Sequence, residues 1–137
     1  MAGSKKVIEL HGSIHRNYCT HCMRFYSLED ILKMDNVPIC TVCKNVIKPD
    51  VVLYEEPLDE NVITKTMIAL ESADLLIVAG TSLNVYPAAS FINYFFGDNI
   101  VLINNIHVPI NRIIKLEINN KVGEVFKKVQ DILKENN

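Results

Sequence analysis

Several features that would assign this sequence to a class at once are missing from it. There is no long basic run, and the formal net charge is −2. A chain whose main partner is nucleic acid needs a basic face to displace counterions, so that class is disfavoured. No apolar run approaches the roughly 20 residues that cross a bilayer. The opening MAGSKKVIEL carries lysines but no apolar core behind them, so no secretion signal is read there. The expected compartment is the cytoplasm, or else the nucleus, where thiols stay reduced. There is no internal repeat and no low-complexity tract. What remains is a globular composition, 49% hydrophobic and 22% charged over 137 residues. A chain of that length can bury roughly two thirds of its unfolded surface and so own a core.

The pattern along the chain changes twice. Val7-Ile8-Glu9-Leu10 reads as a short strand. From Ile14 to Lys48 the apolar rhythm gives way to cysteines, His15, His21 and polar residues, which reads as an inserted small module. Inside it, Ser27-Leu28-Glu29-Asp30 opens a short helix in the manner of a capping box. Beyond it, Val51-Val52-Leu53-Tyr54 is a β-type run, and Asp59 can cap a helix reaching about Ser72. Leu75–Ala79 and Ile100–Ile103 are continuous apolar strands, and Ile113–Ile118 is a shorter one suited to an edge. Pro87 sits where a helix over Ala88–Ile92 would make its first turn. Val125, Val129, Ile132 and Leu133 share one face of a terminal helix. Apolar strands alternating with helices predict an α/β domain with a mostly parallel sheet.

The four cysteines carry the strongest single signal. Cys19-x2-Cys22 and Cys40-x2-Cys43 are separated by 17 residues, a zinc-ribbon spacing. A two-residue gap lets paired thiolates bend round one ion, and two such knuckles complete a tetrahedron. Four thiolates leave no open position for water, so the expected zinc is structural. With four cysteines present, His15 and His21 are read as surface residues.

Two other stretches are weaker alone. His11-Gly12 follows the first apolar run; an imidazole there suits a general base, and equally a hydrogen-bonded histidine at a strand end. Gly80-Thr81-Ser82 follows a buried strand and precedes a helix. Its backbone N–H groups and two hydroxyls can hold phosphate or ribose oxygens, or simply make a turn.

Taken together and in order, these stretches resemble the sirtuins, NAD-dependent protein lysine deacylases. Glu9-Leu10-His11-Gly12 matches the segment of the catalytic histidine, and the paired cysteines match the zinc module that follows it. Ile47–Tyr54 resembles the segment that enters the peptide groove. Ala79–Ala89 resembles the second nucleotide-contacting loop, and Leu102-Ile103-Asn104 the strand end that reaches the adenosine ribose. The family's opening Gly-Ala-Gly-x-Ser loop and its later Gln-Asn-x-Asp segment have no counterpart, and Ala2-Gly3-Ser4 resembles what normally follows the latter. The chain is therefore expected to be the C-terminal part of such a protein. The expected fold is α/β: a partial Rossmann-like sheet (residues 1–13 and 51–137) with an inserted zinc ribbon (residues 14–50).

The resemblance also implies roles. His11 would be the general base for a ribose hydroxyl as the acyl group passes to the ADP-ribose of NAD and nicotinamide leaves. Gly12 would leave room for the substrate backbone. Gly80, Thr81, Ser82, Asn104, Asn105, Ile106 and the backbone of Val122 would contact NAD. Val52, Leu53, Tyr54 and Val85 would line the groove for an acylated lysine peptide, added as an extended strand; core or edge packing is the other reading of those four. Cys19, Cys22, Cys40 and Cys43 would hold Zn2+. Two departures stand out: Lys44-Asn45 replaces a usual Gly-Gly pair, and Glu55 replaces the usual glycine of a Tyr-Gly-Glu turn. The chain alone is expected to show weak or no catalysis and to leave apolar surface for self-association or for a missing half. The competing expectation is a non-catalytic zinc module that binds peptides or partners.

Overall fold

The structure, a computed structural model, describes residues 3–136. Ala2 of the Ala2-Gly3-Ser4 match lies outside the described residues, as do Met1 and Asn137, the outer limits of the expected domains. The chain divides into two compact units, the first ending at Ile63 and the second beginning at Thr64.

The first unit is built on an antiparallel sheet. Strand β1 (Gly12–Cys19) lies between β2 (Phe25–Ser27) and β3 (Ile47–Val51). Pairing of β1 with β3 slips between Ser13 and Asn17. Such an irregularity orphans backbone groups. The buried Asn17 side chain answers this at Ile14, whose carbonyl takes its Nδ2 at 2.9 Å; the same nitrogen also donates to the Tyr26 carbonyl on β2 (3.3 Å). Helix α1 (Leu28–Leu32) starts as the sequence predicts, with Ser27 and Asp30 closing a reciprocal capping box. Cys19, Tyr26, Cys40 and Ile47 form the core, with Ile31 and Met34 packed against it. Helix α2 (Glu60–Glu71) begins at Asp59, whose Oδ1 accepts the N–H groups of Asn61 and Val62.

The second unit carries a parallel sheet of β4 (Leu76–Ala79), β5 (Ile100–Asn104) and β6 (Leu116–Asn119), in that spatial order. The central strand is apolar almost throughout because both its faces are covered; Ile100, Leu102 and Ile103 are buried. Val78, Phe95, Ile100 and Leu102 make the core, flanked by Leu83, Ile92, Ile110 and Ile114. Between β4 and β5 runs a 3-10 helix (Ala88–Tyr94), and α3 (Val122–Glu135) follows β6. The Arg112 guanidinium donates to the carbonyls of Ile92 (3.3 Å), Phe95 (2.8 Å) and Gly97 (3.2 Å), closing the end of the 3-10 helix. Arg112→Ala would take this donor from the Phe95 and Gly97 carbonyls, while Ile92 O keeps the Phe95 N–H (3.3 Å), and is expected to cost about 1–3 kcal/mol, read from the urea midpoint.

Several sequence expectations shift. Val7–Leu10 forms no strand: the Gly12 N–H donates to Glu9 O at 2.9 Å, so the chain turns there, and β1 begins only at Gly12. Of the run over Val51–Tyr54 only Val51 belongs to a strand, with one further backbone bond from the Val52 N–H. The segment after Pro87 is a 3-10 helix; the Ser90 N–H and Oγ both bond back to the Pro87 carbonyl, which favours the tighter three-residue repeat. The last strand sits later than expected, at Leu116–Asn119, at the sheet edge as foreseen. The α/β architecture with a parallel sheet and a four-cysteine module is as expected.

Candidate functional site

The four cysteines meet in the first unit, their Sγ atoms all within 4.8 Å of one another. Cys19 and Cys43 lie 3.3 Å apart, and Cys22 and Cys40 3.6 Å. A tetrahedron of Zn–S bonds near 2.3 Å sets its sulfurs about 3.8 Å apart, so the cluster fits that ion. The two knuckles are built alike. In the first, the N–H of Met23 donates to Cys19 O (3.1 Å) and that of Cys19 to Arg24 O (3.0 Å). In the second, the N–H of Lys44 donates to Cys40 O (3.1 Å) and that of Cys40 to Asn45 O (2.8 Å). Met23 and Lys44 both take left-handed φ, 56° and 63°. That explains why glycine is usual at position 44, and it shows that lysine still makes the turn.

The thiols are electrostatically unequal. A backbone N–H of Cys43 and the Tyr26 hydroxyl pull Cys40 down to about 5. Cys43 is also lowered, chiefly by the backbone of Asn45. The backbone of Arg24 lowers Cys22, but desolvation and the neighbouring sulfurs outweigh it and push that thiol up to about 12. Four sulfurs this close cannot all ionise without a cation among them. The donor set is all thiolate, which suits structural zinc. His15 and His21 are exposed and take no part in the cluster, as expected.

His11 is exposed in the turn before β1, and its carbonyl accepts the Val52 N–H at 3.0 Å. The expected base and the first expected groove residue are thus neighbours. Gly12 has a different task from the one foreseen. Its φ is +78°, and a Cβ there would stand 1.9 Å from the Asp50 carbonyl oxygen. The room it leaves is occupied by the chain's own β3. Arg16 braces this corner by pairing with both Glu9 and Asp50, and it holds the Glu9 carboxyl below its ordinary value. Of the four groove candidates, Leu53, Tyr54 and Val85 are exposed and Val52 is half-buried.

Residues 53–56 make a turn closed by the Glu56 N–H on Leu53 O (3.1 Å). Its third residue, Glu55, has φ +71° while Tyr54 does not enter positive φ, which is type II geometry. The glycine usual there is favoured by this backbone. Glu55→Gly is expected to raise stability by about 0.5–1 kcal/mol in thermal melts, left-handed strain outweighing glycine's chain entropy.

In the second unit, parallel pairing brings the carboxyl ends of β4, β5 and β6 to one edge. The Gly80 N–H donates to Ile103 O (3.0 Å), Asn104 Nδ2 to Thr81 O (2.7 Å), and the Leu83 N–H to Thr81 Oγ1 (3.1 Å). A Cβ on Gly80 would come within 3.2 Å of Val122 Cγ2, so this loop lies against the start of α3. Gly80, Thr81, Asn104 and Val122 are therefore brought together, with Ser82 exposed on the same loop and Asn105 and Ile106 exposed just past β5. Helix α3 has no side-chain cap, and the N–H groups of Thr81 and Ser82 take no partner among the described residues. Bare N–H groups at a helix start and at strand ends suit phosphate and ribose oxygens. A cavity of about 490 Å³ lies elsewhere, lined by His107, Val108, Ile110 and Ile114 with the strand positions Leu102 and Glu117; none of the expected site residues lines it.

The model of the Sir2 family matches residues 1–87. This chain belongs to the Sir2 family. An NAD-dependent protein deacetylase of Clostridium perfringens is 54% identical over 132 residues, which is 96% of this chain and 54% of that protein. One of Cutibacterium acnes is 45% identical over 129 residues, 94% of this chain and 52% of that protein. This chain thus spans about half the length of the curated relatives it matches. A Sir2 structure bound to a propionylated peptide superposes with TM-score 0.84 at 36% identity, covering 94% of this chain and 56% of that one. Another, bound to an acetylated peptide, gives TM-score 0.83 at 36% identity over 94% and 56%.

Within this Sir2 chain, sequence reasoning missed the residues that hold the site in shape. Asn17, Tyr26, Arg16 and Arg112 looked like ordinary polar or aromatic positions. Tyr26 and Arg112 make these contacts with residues 14 to 20 positions away and Arg16 reaches Asp50, 34 positions on, a relation that no local spacing encodes. Asn17 acts closer by, but only because β1 and β2 pair.

Proposed function

We propose that this chain supplies the zinc module and the second part of the NAD site of a protein lysine deacylase. The observation that carries the reading is the shared edge of β4, β5 and α3, where Gly80, Thr81, Ser82, Asn104 and Val122 gather in a Sir2 chain whose relatives are named NAD-dependent protein deacetylases. NAD, when bound, supplies the ribose that accepts the acyl group. Asn105 and Ile106 continue that edge toward the adenosine. His11 takes the proton from a ribose hydroxyl, a task suited to an imidazole near neutral pH. Val52, Leu53, Tyr54 and Val85 receive the acyl-lysine peptide. Residues 14–50 form the zinc ribbon, and the flanking segments form part of the nucleotide-binding domain, in a compartment that keeps thiols reduced. The exposed Phe126, Val129 and Ile132 of α3 support a covering surface, either the remaining portion of a Sir2 chain or a second copy. By itself the chain is weakly active or inactive.

The test is NAD calorimetry on the zinc-loaded chain, paired with deacylation by a complete protein carrying the same residues. Ser82→Ala is expected to weaken NAD binding about tenfold, the equivalent of one charge-assisted hydrogen bond. His11→Ala in the complete protein is expected to lower deacylation about 10²–10⁴-fold while leaving NAD affinity near that of the parent. A folded, zinc-loaded chain that shows no NAD binding sinks the half-site reading. The exposure of Leu53, Tyr54 and Val85 favours one second reading, a peptide-binding module without catalysis. Acyl-peptide binding by the chain in the absence of NAD would support it.

A further inference from the structure

The metal centre is built from two matching knuckles, yet one feature breaks the match. Tyr26 sits on β2, only 5% exposed, directly opposite Asn17 in the β1–β2 register. Its hydroxyl lies 3.2 Å from Cys40 Sγ, accepts the Thr41 N–H at 2.9 Å, and touches Thr41 Oγ1 at 3.1 Å. A phenol has one proton to give and two lone pairs to offer. The Thr41 amide uses one lone pair and the Thr41 hydroxyl can use the other, so the phenolic proton is left for the sulfur. Among the described residues no other sulfur faces a buried hydroxyl: Cys19 takes a distant His21 N–H (3.5 Å), Cys22 the backbone of Arg24, and Cys43 the backbone of Asn45 with its longer side-chain amide (3.7 Å). The Tyr26 hydroxyl is buried, and burying it is costly unless it is bonded. A phenylalanine would fill the same core space among Cys19, Cys40 and Ile47 without that demand.

We propose that Tyr26 is a positioning residue of the metal centre, its hydroxyl aimed by the Thr41 amide and donating to the Cys40 sulfur. The donated hydrogen bond fixes the direction of the Cys40 lone pairs and gives this sulfur the one buried hydroxyl donor of the cluster among the described residues. A thiolate keeps three lone pairs, so it can bind a metal and accept the phenol together. Groups that hold a ligand from outside the coordination sphere typically contribute 10–100-fold to affinity. Asn17 supports the arrangement from behind by bonding the Tyr26 carbonyl and so holding β2 on β1. This inference concerns the metal centre alone and does not depend on the deacylase reading.

The experiment compares the chain with Tyr26→Phe. Zinc affinity is measured by competition with a chromophoric chelator, and the sulfur-to-metal charge-transfer band is recorded with cobalt(II) in place of zinc. The expected result is an affinity about tenfold lower, with the band moved to longer wavelength because a sulfur that loses a donor gives up its electrons more readily. Unchanged affinity would overturn the proposal. So would lower affinity with an unshifted band, since that result is loosened packing only. Should Tyr26→Phe fail to fold, the unsubstituted chain loaded with cadmium-113 decides. Coupling between the metal and the Tyr26 hydroxyl proton through the Cys40 sulfur is expected, and an observed hydroxyl resonance without that coupling would overturn it.

Discussion

Adding a strong chelator to the zinc-loaded chain is expected to unfold the β1–β2–β3 sheet. The reason lies in the size of the core it serves. Its buried cluster is Cys19, Tyr26, Cys40 and Ile47, and two of the four are metal ligands. So few apolar side chains cannot offset the entropy of ordering the surrounding loops. A four-thiolate zinc site contributes on the order of 10 kcal/mol, which makes metal binding and folding one event. Amide exchange reads the result directly: protection at Tyr18, Tyr26 and Lys48, which lie in the β1 pairings, should disappear with the metal and return with it. Cys40→Ser should reproduce the loss without a chelator. Protection that survives complete metal removal would show that the sheet stands without its ion.

Gly12→Ala is expected to cost about 3 kcal/mol or more. Two independent penalties meet at this residue. Its φ of +78° is strained for any residue with a Cβ, and the added carbon would stand 1.9 Å from the Asp50 carbonyl oxygen, far inside contact distance. That oxygen belongs to the backbone, so nothing flexible can swing aside. β1 must part from β3 at this end, and the adjoining His11 turn moves with it. A useful contrast is Gly123→Ala in the first turn of α3, where a Cβ would meet nothing within 4 Å. There the gain in helix propensity should stabilise the chain by about 0.5–1 kcal/mol. Denaturant midpoints of the two variants should move in opposite directions; equal small shifts would sink the clash argument.

The metal centre was legible in the sequence because a Cys-x2-Cys knuckle closes within a few residues, and local spacing fixes local geometry. The strands of the second unit were legible for a related reason: Leu76–Ala79 and Ile100–Ile103 read as unbroken apolar runs, and β5 is buried along most of its length. Val7–Leu10 misled because an apolar run says nothing about whether a neighbouring strand is available to pair with it. Gly12 misled in the opposite direction. The glycine was correctly marked as a place of close approach, but what approaches is Asp50, 38 positions along the chain.

The sequence by itself determined the class of the fold, the four-thiolate chemistry and membership of a family, since these rest on residue type, periodicity and short spacings. The tertiary structure alone decided which groups serve one another. It set Gly80 against Val122, and the Asn104 amide on the Thr81 carbonyl, so that loops distant in sequence share one sheet edge. It placed Leu53, Tyr54 and Val85 at the surface although their composition suits a core equally well. It aimed the Tyr26 hydroxyl at Cys40 and the Arg112 guanidinium at the end of the 3-10 helix. Hydrogen bonds act over about three ångströms in space and are indifferent to separation along the chain, so only the folded backbone can say where they form.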